Sequence, residues 1–163
     1  GGTVHRVMQQ ATTDVAVFVD RGLQSRPRSI LIPYMGSPHD RLALDLAARM
    51  ARHANASVTV LHVVKPGRAA GIAAPSGTSA EQLTKRVFND PSQPLPVTFD
   101  IVESGDRIAA VLSRAKAFDL VIIGVAEEWG LKSHLFGWRP ERIDRDCPSS
   151  LMIVRKHIAE PTP

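Results

Sequence analysis

Three glycines, Gly124, Gly130 and Gly137, follow the apolar run Asp119-Leu-Val-Ile-Ile-Gly124. A residue without a Cβ lets main-chain N–H groups close on a ligand oxygen. In an open α/β sheet, such a loop at the carboxyl end of a buried strand is where a phosphate-bearing ligand lies. A second stretch with binding chemistry is Met35-Gly-Ser-Pro-His-Asp40, between the apolar run Ile30–Tyr34 and a helical pattern. Ser37 is placed to cap that helix, Pro38 to start it and Asp40 to close a capping box. His39 and Asp40 stand where a phosphate would be touched, although capping alone accounts for Asp40. Turn chemistry likewise accounts for the three glycines, so the residues leave both readings open.

Other chemistry is thin. The 6 histidines show no metal-ligand spacing with the single Cys147. Cys147 beside Pro148 reads as a small buried hydrophobe, and His62, within an apolar run, as a core histidine. No nucleophile–base pair is in evidence, which argues against an enzyme. The chain has 163 residues, 44% of them apolar and 22% charged, which suits one soluble domain with a sizeable core. With 5% aromatics, that core must be built from Val, Ile, Leu and Ala, which favours α/β layers. No run approaches the roughly 18 apolar residues of a membrane span, and no signal peptide opens the chain. One cysteine excludes an internal disulfide and fits a reducing compartment. The net charge of +4 is spread along the chain without a polybasic block, which argues against nucleic acid as a partner.

The elements that would position these residues follow from periodicity. Residues 4–10 read as a short helix and Val15–Val19 as a strand, with a linker from Asp20 to Arg28. Ile30–Tyr34 is a buried strand, and the helix behind Ser37 repeats Ala43, Leu46, Ala47, Met50 and Ala51 at helical spacing. Val58–Val64 is the next strand. Lys65–Gly77, rich in Gly, Pro and Ala, reads as a mobile loop, and Ser79 as the cap of a helix ending near Phe88. Val97, Phe99 and Ile101 alternate with polar residues as a half-exposed edge strand. Asp106 caps a helix carrying Ile108, Val111, Leu112 and Ala115. After the strand at 119–123, a short helix from about Pro140 leads to a last strand, Leu151–Val154. From Ile30 onward the alternation β-α-β-α-β-α-β-α-β predicts a doubly wound, mainly parallel five-stranded sheet with helices on both faces.

An internal match sets the domain boundaries. Gly1-Gly-Thr-Val-His-Arg-Val7 aligns with Gly137-Trp-Arg-Pro-Glu-Arg-Ile143, and at the same offset Val15 falls on Leu151. Residues 1–22 thus read as the last helix and strand of a preceding, truncated repeat. Residues 23–28 are then a linker, 29–156 a whole domain and 157–163 a polar tail.

The pieces Ile30-Leu-Ile-Pro33 with Gly36-Ser37, Val58-Thr-Val-Leu-His-Val-Val64, Asp119-Leu-Val-Ile-Ile-Gly124 and Cys147-Pro-Ser-Ser-Leu-Met-Ile-Val154 resemble the universal stress protein family. Ala16-Val-Phe-Val-Asp-Arg-Gly22 and Gly36-Ser-Pro-His-Asp-Arg-Leu-Ala-Leu44 look more specifically like the cytoplasmic tail of monovalent cation:proton antiporters; amino-acid permeases carry similar tails. The resemblance implies a sheet order of 3-2-1-4-5. It also implies a final strand that pairs antiparallel with its counterpart, here the strand at Val15–Val19 of the same chain or of a second copy.

ATP-binding members of the family carry a glycine, two residues, a glycine, nine residues, then glycine and Ser or Thr. Gly124 and Gly137 match that pattern. Glu127 replaces the middle glycine, Trp138 replaces the hydroxyl residue, and Met35 stands where an acidic residue is usual. The resulting expectation is a vestigial nucleotide site at Pro33, Met35, Gly36, Ser37, Gly124, Glu127, Gly130, Gly137 and Trp138. It would need no cofactor, though ATP or another adenine nucleotide stays open. The implied function is a non-enzymatic regulatory domain on the cytoplasmic face of a membrane. Its partners would be the membrane-spanning part of the same transporter and a second stress-protein-like domain or copy. The alternative is a free-standing, nucleotide-binding stress protein.

Overall fold

The computed structural model of the chain describes residues 3, 6, 7, 10–67, 75–125 and 142–158, with 75–80 described as backbone. Strand β1 (Val15–Val19) is followed by β2 (Ser29–Tyr34), helix α1 (Pro38–Ala54), β3 (Ser57–Val64) and α2 (Pro75–Phe88). Then come β4 (Val97–Glu103), α3 (Arg107–Ala115), β5 (Leu120–Gly124), α4 (Arg142–Asp146) and β6 (Ser150–Arg155). All strands lie in one six-stranded sheet of order β1-β6-β5-β2-β3-β4. Counted from β2, the five parallel strands run 3-2-1-4-5, as the family resemblance implies and the crossover rules allow.

The sheet is buried on both faces because its central strands, β2 and β5, are apolar along nearly their whole length. Ile30, Ile32, Leu120, Ile122 and Val154 face α1 and α2. Leu31, Val121, Ile123, Leu151 and Ile153 face the other side, where Val111, Ala115 and Ile143 of α3 and α4 cover them. Helix α1 lies close because its buried face is mostly alanine: Ala43, Leu44, Ala47, Ala48 and Ala51. That face corrects the predicted stripe. Leu46 and Met50 are only partly buried at its margin, since the sheet selects the small residues that allow close approach.

Two further expectations are revised. Helix α2 begins at Pro75, so Ser79 lies inside it and does not cap it; a proline at the first helical position starts a helix earlier than the Gly/Ala composition suggests. Residues 68–74 of the predicted mobile loop lie outside the described residues, while Pro75–Gly77 are helical. On β4, a sheet edge as expected, Val97 and Phe99 pack inward, but Ile101 is 43% exposed. Of the predicted helix at 4–10, the described residues 6, 7 and 10 are helical.

Strand β1 covers the outer edge of β6. The pairing is antiparallel, from Val15↔Arg155 to Val19↔Leu151, with Val17 opposite Ile153 at its centre. Val17 and Ile153 are also the residues that the internal match aligns, so the two strands face each other about a local two-fold axis at that pair. Val15, Val17 and Val19 pack on the α3–α4 side, leaving Phe18 47% exposed on the other.

The linker from β1 to β2 crosses three strand spacings, about 14 Å, and is pinned on the way. The Arg21 guanidinium donates to the carbonyls of Asp144, Arg145 and Cys147 at the end of α4. Arg26 donates to the His53 carbonyl at the end of α1. Cations at helix C-termini satisfy orphan carbonyls and complement the helix dipole.

Removing residues 1–22 strips β1 from β6 and deletes Arg21. An open, apolar strand edge invites pairing with another chain. The truncated protein is expected to dimerise or aggregate in light-scattering chromatography and to melt at lower temperature than the full chain. A monomer with unchanged melting temperature would show that β1 does not protect that edge.

Candidate functional site

The candidate site is the crevice where β2 and β5 part at their carboxyl ends, the position at which sheet order reverses. The ladder from β2 to β3 runs on to Tyr34↔His62, whereas that from β2 to β5 stops at Leu31↔Val121. Pro33 lies just beyond the break and has no N–H to donate, so the parting is written into the strand.

The turn from β2 into α1 enters this gap. Gly36 has φ +99°, a left-handed conformation that glycine adopts without strain. It aims three consecutive backbone N–H groups inward. Met35, Gly36 and Ser37 donate to Oδ2 of Asp40 at 2.8, 2.9 and 3.1 Å. Such a nest of N–H groups binds anions; here the anion is the chain's own carboxylate. Ser37 completes the capping box by accepting from the Asp40 N–H at 3.2 Å.

Asp40 is wholly buried. Its Oδ1 is sealed from solvent and has no hydrogen-bond partner among the described residues. Burial raises its pKa, against the pull of the Met35, Ser37 and Gly36 N–H donors and the Ser37 hydroxyl. Burial, with Asp40 nearby, also raises the Tyr34 phenol.

Gly124 faces this carboxylate directly. A Cβ there would sit 2.6 Å from Asp40 Oδ1 and 2.8 Å from both the Asp40 nitrogen and the His39 carbonyl carbon. The glycine lets the start of α1 press against the end of β5, a role that needs no ligand.

The sequence-predicted residues therefore divide. Met35, Gly36, Ser37 and Gly124 are brought together around Asp40, and Pro33 lies near the end of β2, ahead of the turn. The Met35 side chain packs among apolar residues of the α3–α4 side, so an apolar contact occupies the place where the family pattern has an acid. Glu127, Gly130, Gly137 and Trp138 lie outside the described residues. Asp40 has the largest structural role in the crevice. Its capping position was legible in the sequence, but its service as the nest's anion was not.

Other titratable groups have structural partners. His62 is half-buried, with Nδ1 3.0 Å from the Tyr34 carbonyl. Cys147 is buried, and burial pushes its thiol up. No cluster of His, Cys, Asp or Glu among the described residues could hold a metal ion. At the opposite end of the sheet, a cleft of about 380 Å³ runs between the linker and the α3–β5 turn. Arg21 and Arg26, which line it, are engaged with the ends of α4 and α1.

The sequence profile described as the universal stress protein family matches residues 27–155. Two curated relatives from Arabidopsis thaliana are cation/H(+) antiporters. Antiporter 19 is 28% identical over 147 residues, which cover 73% of this chain and 17% of the relative. Antiporter 18 is 40% identical over 72 residues, covering 39% of this chain and 9% of the relative. The chain thus spans less than a fifth of the length of either. Among solved structures, a universal stress protein from Archaeoglobus fulgidus superposes with a TM-score of 0.66 at 16% identity, over 94% of this chain and 54% of the other. A universal stress protein solved in complex with cAMP gives 0.58 at 19% identity, over 80% of this chain and 98% of the other. At such identities the likeness concerns the fold.

The packing of Gly124 on Asp40 gives a stability prediction. Gly124→Ala should destabilise by about 1–3 kcal/mol in urea denaturation, because backbone rather than a flexible side chain must give way. Asp40→Ala, which orphans the nest and the cap, should cost about 3 kcal/mol or more. An unchanged midpoint for Gly124→Ala would contradict the close approach.

Proposed function

The chain belongs to the universal stress protein family, and from that premise we propose that it is a regulatory, non-enzymatic domain from the cytoplasmic tail of a cation:proton antiporter. The similarity to two antiporters carries this reading. A domain covering so small a share of those relatives leaves ample length for a membrane-spanning exchanger. Among the described residues no helix is long and apolar enough to cross a membrane, which suits a tail domain attached to such an exchanger. On this reading residues 1–22 close a preceding repeat, and the β1–β6 contact is where two stress-protein-like units meet. The direct test is the gene upstream of Gly1: membrane spans there would support the reading, and a start codon close to Gly1 would overturn it.

The nucleotide site is proposed to be vestigial. A working site at this crevice would offer free N–H groups to phosphate and a carboxylate to ribose or base. Here the N–H groups of Met35, Gly36 and Ser37 are spent on Asp40, and Met35 offers no carboxylate. Glu127 adds charge of the wrong sign to the following loop, and Trp138 removes a hydroxyl ligand.

The second reading, a free-standing stress protein that binds an adenine nucleotide, is favoured by the cAMP complex of a structural neighbour. Calorimetric titration with Mg-ATP separates the two. We expect a dissociation constant of about 1 mM or weaker, and low-micromolar binding would favour the second reading. Glu127→Gly with Trp138→Ser should raise the affinity.

A further inference from the structure

We propose that His39 is a proton-sensing residue that fastens the first turn of α1 to the segment leaving β6, and releases it on protonation. His39 Nδ1 lies 2.9 Å from the backbone nitrogen of Lys156. A backbone N–H can only donate, so Nδ1 accepts, and the ring hydrogen of neutral His39 must be on Nε2. Adding one proton places an N–H opposite an N–H. The bond then becomes a repulsive contact, with no other rotamer needed to break it.

The segment that His39 holds is also held from its other side. The next backbone N–H, that of His157, donates to Asp14 at 2.7 Å. Arg155 donates to the Ala11 carbonyl at 2.8 Å. Residues 155–157 thus connect α1 to the entry of β1, and His39 is the link to α1. It is also the neighbour of Asp40 in the chain, and its carbonyl carbon lies against Gly124. A proton at His39 therefore acts where the crevice and the β1–β6 edge meet.

The charged and titratable groups around His39 are Asp40 on α1, Arg155 on β6, Lys156 and His157 after it, and Asp14 before β1. Burial holds the imidazole below the ordinary histidine value. Arg155 acts in the same direction, and Asp40 and Asp14 act in the other. The N-terminal end of α1 is likewise a poor place for a cation. The neutral ring is thus the form the fold prefers. The Lys156 bond is complete above the ordinary histidine value and is lost as pH falls through the lower value of the folded chain.

Nitrogen-15 NMR of the 163-residue chain tests this on the unaltered protein. The expected result is an Nε2–H tautomer at neutral pH and a His39 midpoint below about 6.5. Exchange of the Lys156 amide, corrected for its intrinsic rate, should rise about tenfold or more between about pH 7.5 and about pH 5. His39→Asn places an amide oxygen where Nδ1 accepts and cannot titrate, so it should keep the Lys156 amide protected at both values. His157→Asn should leave the pH step in place. A His39 midpoint at or above about 6.5, or equal protection of Lys156 at both pH values in the unaltered chain, would overturn the proposal. So would a pH step that survives His39→Asn.

Discussion

A single buried carboxylate organises the carboxyl end of this parallel sheet. Asp40 is wholly out of solvent, and an ion there is tolerated only with dense hydrogen bonding. Three N–H groups of the β2–α1 turn supply it, all on Oδ2. The demand runs outward from there. Gly36 must take a left-handed conformation to aim those donors, Ser37 must cap α1, and Gly124 must lack a side chain so that the carboxylate fits against β5. Pro33 ends the ladder to β5 just where the helix start needs room. Four residues that resemble parts of a ligand site are thus accounted for by the solvation of one internal anion.

This changes what the phosphate-cradle motif means here. A nest of backbone donors binds whatever anion is held in front of it, and a tethered carboxylate has a large advantage over a diffusing one. The same fold could serve a nucleotide only with further donors from the loop after β5, where the family pattern is interrupted at Glu127 and Trp138. With its three turn N–H groups engaged by Asp40, this chain keeps the nest as a structural device of the β2–α1 turn.

The opposite end of the sheet is held by the same physics with reversed sign. The C-termini of α1 and α4 present unsatisfied carbonyls, and Arg26 and Arg21 of the linker meet them. The linker is therefore a clamp. It delivers β1 to the edge of β6, where Val17 and Ile153 sit opposite each other and close an edge that would otherwise stay exposed.

Local patterns announced most of this architecture. The all-apolar runs at Ile30 and Leu120, the capping box at Ser37 and Asp40, and the cap at Asp106 each act within a few residues, so the sequence by itself determined the strands and the starts of α1 and α3, while their order came from the family resemblance. The antiparallel β1 was legible too, because the internal match marks it as the counterpart of β6 and the family resemblance implies how such counterparts pair. The tertiary structure decided what depends on distance between segments remote in the chain. It selected Leu44 and Ala48 over Leu46 and Met50 as the buried face of α1, because the closeness of the sheet is not a property of the helix. It assigned Gly124 to the space beside Asp40, since a glycine that frees a turn and one that admits a neighbour look the same in sequence. It placed His39 against Lys156, 117 residues apart, a contact for which neither residue's surroundings carry a signal. Periodicity and capping are one-dimensional and can be read from the chain; solvation of a buried charge is three-dimensional, and only the folded arrangement shows which donors it takes.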